Sequence, residues 1–262
     1  MTGNDKTSTA FRPWLADLPA ALALLTRIPL PAGFFADLDP QRPGAHAAWA
    51  YPLVGLVAGA AMGLGVSIAL ALNLPAAMAA LVGIAAGLLV TGALHEDGLA
   101  DCADGFWGGW TRERRLEIMK DSQIGTYGVL ALFLMLGLRW SAMVVLIDGA
   151  AWGCALIAAA VASRAAMVGV MGTLPNARVA GLSSQTGRPP RPALLIALGI
   201  GLAALLLFAP APFAALFALG GVALAVGLIA RSKIGGQTGD VLGATQVCGE
   251  VAVLAACASV LQ

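Results

Sequence analysis

Charge is scarce in this chain. Only 11% of its 262 residues are Asp, Glu, Lys or Arg, against about 25% in an ordinary soluble domain. With 59% hydrophobic residues and a mean hydropathy of +0.86, a water-facing surface of the usual kind is excluded. Lipid accepts such an exterior. The net charge of +1 gives no electrostatic footprint for nucleic acid. Cysteine is also sparse. Cys102, Cys154, Cys248 and Cys257 show no C-x-x-C spacing and three lie in apolar segments, so buried thiols are expected and disulfides are not. The only early apolar run contains Asp17 and has no clear cleavage site, so a cleaved signal peptide is not expected.

What the chain has in quantity is long apolar runs. A hydrocarbon core of roughly 30 Å needs about 20 residues per helix. Seven such runs occupy approximately 47–72, 76–94, 127–147, 150–172, 193–209, 213–230 and 239–261. The segment from Trp14 to Leu30 is shorter and carries Asp17 and Arg27; it reads as an interfacial or re-entrant helix. The expected fold is all-α, a polytopic transmembrane bundle with short cytoplasmic helices, forming one integral membrane domain over 1–262.

The basic residues set the topology. Lys6, Arg12, Arg27 and Arg42 precede the first span. Arg112, Arg114, Arg115 and Lys120 follow the second, Arg178, Arg188 and Arg191 follow the fourth, and Arg231 and Lys233 follow the sixth. The connections near Asn73, Asp148 and Pro210 hold no Lys or Arg. Seven spans therefore place every loop cation on one side, which is expected to be the cytoplasm.

That side also receives His95-Glu-Asp-Gly-Leu-Ala-Asp-Cys-Ala-Asp-Gly105. On a continuing helix, Asp97, Asp101 and Asp104 stand at i, i+4 and i+7, within about 60° of one another. Carboxylates so stacked repel unless a cation neutralises them, and oxygen ligands favour Mg²⁺, Mn²⁺ or Ca²⁺. The ordinary alternative is a solvated acidic loop. Glu96 points off the stripe, as a supporting or second-metal residue, and His95 reads as a positioning residue. Gly98 and Gly105 are expected to let a substrate approach or to end the helix.

Further along, Lys120-Asp-Ser122 could return a carboxylate and a cation to the stripe. Gly235-Gly-Gln-Thr-Gly-Asp240 opens the last span, where a Gly-rich loop before a helix is an anion site or simply a turn. Arg139, Arg164 and Glu250 fall inside spans. Charges there are costly and face a polar interior; Glu250 pairing with one of the arginines is a purely structural reading. Clustered carboxylates, cations and a Gly-rich loop at a membrane face suggest phosphoryl or nucleotidyl transfer.

Three segments carry a family resemblance: the acidic one, Lys120-Asp-Ser-Gln-Ile-Gly-Thr-Tyr-Gly128, and Gly235-Gly-Gln-Thr-Gly-Asp-Val-Leu-Gly-Ala244. With Leu25-Thr-Arg-Ile-Pro29 and Ser163-Arg-Ala-Ala-Met167, the chain resembles the cobalamin synthase family, the adenosylcobinamide-GDP ribazoletransferases of the late vitamin B12 pathway. The resemblance implies an Mg²⁺-dependent transferase of the bacterial inner membrane. It would join adenosylcobinamide-GDP to α-ribazole or its 5′-phosphate and release GMP. It further implies that Asp97, Asp101, Asp104 and Asp121 serve catalysis and, with Glu96, the metal. Arg27, His95, Lys120, Ser122, Arg164, Gly235, Gly236, Thr238 and Asp240 would bind substrate. The expected partners are those substrates and the bilayer, with an oligomer compatible. The CDP-alcohol phosphotransferase motif D-x-x-D-G-x-x-A-R fits Asp101-Cys-Ala-Asp-Gly105 but meets Phe106-Trp-Gly-Gly where Ala-Arg should stand. A phospholipid synthase is therefore the weaker alternative. A transporter would place its site at the midplane and often shows an internal repeat; the acids instead gather at the face.

Overall fold

The computed structural model describes residues 12–35, 43–178 and 181–261. They form eleven α-helices: α1 Arg12–Leu25, α2 Tyr51–Ala71, α3 Ala76–Thr91, α4 Leu94–Gly108, α5 Arg112–Ile118, α6 Thr126–Asp148, α7 Trp152–Thr173, α8 Leu182–Thr186, α9 Arg191–Phe208, α10 Pro212–Ile234 and α11 Gly239–Ala258. Among the described residues there is no strand, only an isolated parallel bridge between Asn176 and Gln237.

Six helices are long and apolar enough to cross a membrane: the Gly44–Ala71 unit, in which a 3₁₀ segment runs into α2, and α6, α7, α9, α10 and α11. The second expected span, 76–94, ends in a sharp bend. α3 and α4 are bent by 89°, so α4 does not prolong the second span and lies across its end. We read α3 as the crossing segment and α4 as lying along the membrane face. The other expected boundaries hold within a few residues. The largest shift is at α10, which runs on to Ile234 with Arg231 and Lys233 in its last turn, where cations favour the helix dipole. The chain is a multi-pass membrane protein.

The bundle is built around two helices. In α7 and α11, 83% and 78% of the apolar window is buried, against 17–28% in α6, α9 and α10. α7 is rich in alanine, which lets backbones close in; a Cβ at Gly55 of α2 would stand 2.5 Å from the Ala160 carbonyl oxygen. The outer helices turn large apolar side chains outward. Leu89 is 79% and Phe217 78% exposed, as lipid contact requires. Helix α1 has 14 residues, too short to cross at about 1.5 Å per residue. It is fixed by Trp49 Nε1, which donates to the buried Asp17 Oδ2 at 2.7 Å.

With α3 read as a crossing, chain alternation puts the loop cations of the described residues on one face; Lys6 and Arg42 lie outside the described residues. Several of these cations cap helix ends. Arg112 Nε donates to Ile234 O at 2.8 Å, Arg115 Nη1 to Lys233 O at 3.0 Å, and Arg188 Nε to Gly172 O at 2.7 Å. These bonds satisfy carbonyls that the last turns of α10 and α7 leave open.

Candidate active site

The site begins at the elbow between α3 and α4. Gly92 adopts φ +64° and Ala93 φ +55°, two left-handed residues in succession that stop α3 and re-aim the chain. A Cβ at Gly92 would also lie 2.4 Å from Arg27 Cγ. Arg27 therefore lies over the elbow, with its backbone N–H donating to Val90 O at 2.7 Å. Beyond the elbow, Gly98 packs against another helix: its Cβ would stand 2.8 Å from Asp240 O and 2.9 Å from Asp240 Cα. Gly105 likewise faces Met119 and the Arg115 carbonyl. Both glycines pack protein on protein, and α4 runs on past them to Gly108, so they neither end the helix nor open it to a substrate.

That close approach of α4 to α11 assembles an acidic face. Asp97 is exposed and Asp101 half-buried. Asp97 and Asp240 line a cavity of about 180 Å³ with Tyr51, Met167, Met171 and Arg178. Burial first, then the negative charges of Asp240 and Asp97, push the Asp101 carboxyl up to about 7, with Arg178 opposing. Arg178 Nη1 lies 3.3 Å from Asp240 Oδ2, to which Thr238 Oγ1 donates at 3.1 Å.

Asp104, third on the expected stripe, is committed elsewhere. Its oxygens accept from the Gly125 N–H at 2.7 Å and the Gly128 N–H at 2.9 Å, capping the start of α6. The carboxylates left on the acidic face with Asp101 are thus Asp97 and Asp240.

Glu96 and His95 face the interior. Glu96 Oε1 accepts from Arg139 Nη1 at 3.0 Å, and Arg139 Nη2 lies 3.2 Å from Glu250 Oε1. Gln246 Nε2 donates to Glu250 Oε2 at 2.7 Å and to Ser163 Oγ at 3.1 Å. Arg164 is 1% exposed; it donates to Ala160 O at 2.9 Å and stands 4.0 Å from Glu250. This network ties α4 to α6, α7 and α11. It places Glu96 and Arg164 in the bundle interior, away from the acidic face, with Arg139 on Glu96 and Glu250 near Arg164. His95 lines both this interior and the acidic cavity. Burial, then Arg164 and Arg139, hold its imidazole well below the ordinary value.

Lys120, Asp121 and Ser122 form an exposed turn, in which Asp121 Oδ1 accepts from the Gln123 N–H at 3.1 Å. The fourth carboxylate near Asp101 is Asp240, not Asp121. The Gly-rich loop is a packed junction. Gly235 has φ +81°, a Cβ at Gly236 would stand 2.1 Å from Pro175 O, and the Gln237 N–H donates to Pro175 O at 2.8 Å. Thr238 Oγ1 caps α11 by accepting from the Val241 N–H at 3.3 Å. Sequence reasoning used Arg178 only for topology. Its recruitment depends on the bridge from Asn176 to Gln237, sixty-one residues apart, which no local pattern announces.

Among the described residues, no group of three or more His, Cys, Asp or Glu side chains converges closely enough to enclose a metal. Mg²⁺ rarely uses an all-protein cage; it takes one or two carboxylates, waters and substrate phosphates. Asp97, Asp101 and Asp240 fit that mode. They are hard oxygen donors, and Arg178 opposes the repulsion on Asp101 and Asp240.

Fold and site together define a polytopic membrane enzyme with a carboxylate-lined centre at one face of its bundle. Residues 17–258 match the cobalamin-5-phosphate synthase family, and the chain belongs to that family. Similar proteins include an adenosylcobinamide-GDP ribazoletransferase of Bradyrhizobium diazoefficiens, 45% identical over 92% of each chain. One of Brucella anthropi is 43% identical over 92% of this chain and 95% of its own, and one of Brucella canis 42% over the same shares. No solved structure matches.

Proposed function

We propose that the chain joins adenosylcobinamide-GDP to α-ribazole, or to its 5′-phosphate, and releases GMP. The reaction would be Mg²⁺-dependent, at the cytoplasmic face of the bacterial inner membrane. The observation that carries this is likeness along 92% of the chain to relatives named for that transfer. The acidic face supports it, and the one-sided cations support the orientation.

In this reading a ribazole hydroxyl oxygen attacks the phosphorus that stays with cobinamide, and the bond from that phosphorus to GMP breaks. Mg²⁺, when bound, neutralises phosphate oxygens and steadies the leaving group. Asp97 and Asp101 would hold it. Asp240, fixed by Thr238 and Arg178, accepts the hydroxyl proton. Arg178 turns its guanidinium to the phosphates as charge builds on them. Glu96, Arg139 and Glu250 hold the first turn of α4 so that Asp97 and Asp101 keep their direction.

The test is product identity. Purified chain in lipid, given adenosylcobinamide-GDP and α-ribazole with Mg²⁺, should yield a corrinoid of the joined mass. GMP should form in equal amount, only when both substrates are present. Release of CMP from a CDP-alcohol donor, with none of GMP from the corrinoid, would replace this reading by phospholipid synthesis.

A further inference from the structure

The acidic cavity is small for what the reaction needs. Small-molecule sites usually measure about 300–1,000 Å³, and this one measures about 180 Å³. A second cavity of about 390 Å³ lies beside α5, lined by Arg112, Glu113, Glu117, Lys120 and Arg178 among others. Arg178 belongs to the walls of both. Its Nη1 is on Asp240 on the acidic side, its Nη2 donates to Leu116 O at 3.3 Å, and its Nε is buried without a partner.

We propose that the second cavity receives the nucleotide half of the donor. The phosphate bridge would lie on Arg178, and the acceptor would enter the acidic cavity. The proposal rests on the transfer reading above. Arg178 is the one described cation common to both cavities, so a pyrophosphate spanning them meets it at the bond that breaks. Its planar donors suit phosphate oxygens, and its unpartnered Nε offers one more N–H. Lys120 is exposed on the same wall and supplies a second cation to the phosphate that leaves. Arg112 is spent on the Ile234 and Ala177 carbonyls and shapes the wall. At the rim, Glu117 is held by Arg114 Nη1 at 3.2 Å, whereas Glu113 lies 3.9 Å from Arg112 Nη1. Glu113 is thus the freer carboxylate, and it accepts from the adjacent N1–H and N2–H donors that guanine presents and adenine lacks.

The experiment is equilibrium binding of GMP and AMP to the full chain in lipid, without corrinoid, for wild type, Lys120→Ala, Arg178→Lys and Glu113→Gln. Wild type should prefer GMP. Lys120→Ala and Arg178→Lys should each weaken GMP binding by about tenfold or more, the scale of one charge-assisted bond. Glu113→Gln should narrow the preference for GMP over AMP. Lys120 is an exposed residue in a turn, so its substitution keeps the test valid if the Arg178 variant folds poorly. GMP affinity unchanged in the Lys120 and Arg178 variants overturns the subsite, even where the chain transfers normally. GMP binding that both substitutions weaken upholds the subsite, even where no transfer is seen and the transfer reading fails.

Discussion

An isosteric change at a carboxylate removes its charge and keeps its shape, which makes Asp101→Asn an informative substitution. Burial, then the charges of Asp240 and Asp97, raise the Asp101 carboxyl above its ordinary value. Losing one negative charge should relieve that repulsion, so the variant should melt no lower than wild type in chelator. GMP release should fall by about 10²-fold or more, the scale of removing one preorganised group from a charged centre. A thermal melt and an initial-rate measurement on one preparation check both halves. Arg139 shows the opposite balance. It is 3% exposed and answers both Glu96 and Glu250, so Arg139→Ala strands buried Glu96 and leaves Glu250 with Gln246 and Arg164 alone. Breaking such a pair costs about 3–5 kcal/mol. Denaturation in detergent should show a loss of that order, and unchanged stability would remove the network from the account of how α4 is held.

At the scale of the element, most of the spans were legible because an apolar run of about 20 residues has few readings. The elbow was not. Gly92 and Ala93 sit at the end of an apolar run that reads as continuing helix, and only the backbone reveals two left-handed residues there. The acidic stripe was legible in part. The 3.6-residue period aligned Asp97, Asp101 and Asp104 correctly on α4, but period says nothing of what arrives from elsewhere. Asp104 is drawn to the open N–H groups of α6, and Asp240 comes in with the start of α11. Asp104→Ala should therefore destabilise the chain by about 1–2 kcal/mol, as a lost helix cap does. Asp104→Asn should recover part of that, since an amide oxygen still accepts one N–H. Chemical denaturation of the three chains measures it, and equal loss in both variants would show that the charge and not the cap is what Asp104 contributes.

For the whole molecule, the charge pattern and the path of the chain agree on a single orientation. Described Lys and Arg residues outside the spans share one face, and α4 lies on that face. The opposite connections, around 72–75, 149–151 and 209–211, hold no Lys or Arg. In a cysteine-free background, Asn73→Cys should react with a membrane-impermeant thiol reagent once the outer envelope is breached. Ser122→Cys should react only after the inner membrane is opened. The reverse pattern would put the acidic face outside the cytoplasm. Arg178 escaped the sequence because its role is made by packing between distant segments, joined at Asn176 and Gln237.

The activity proposed for the acidic face of α4 and α11 is an Mg²⁺-dependent transfer from adenosylcobinamide-GDP. Its most direct test is single-turnover release of GMP by purified chain in lipid, with both substrates, comparing Mg²⁺ with chelator and wild type with Asp101→Asn. Release that needs Mg²⁺ and both substrates, and that the substitution suppresses, is the predicted result. Release that proceeds equally in chelator, or that the folded Asp101→Asn variant sustains at the wild-type rate, would contradict it.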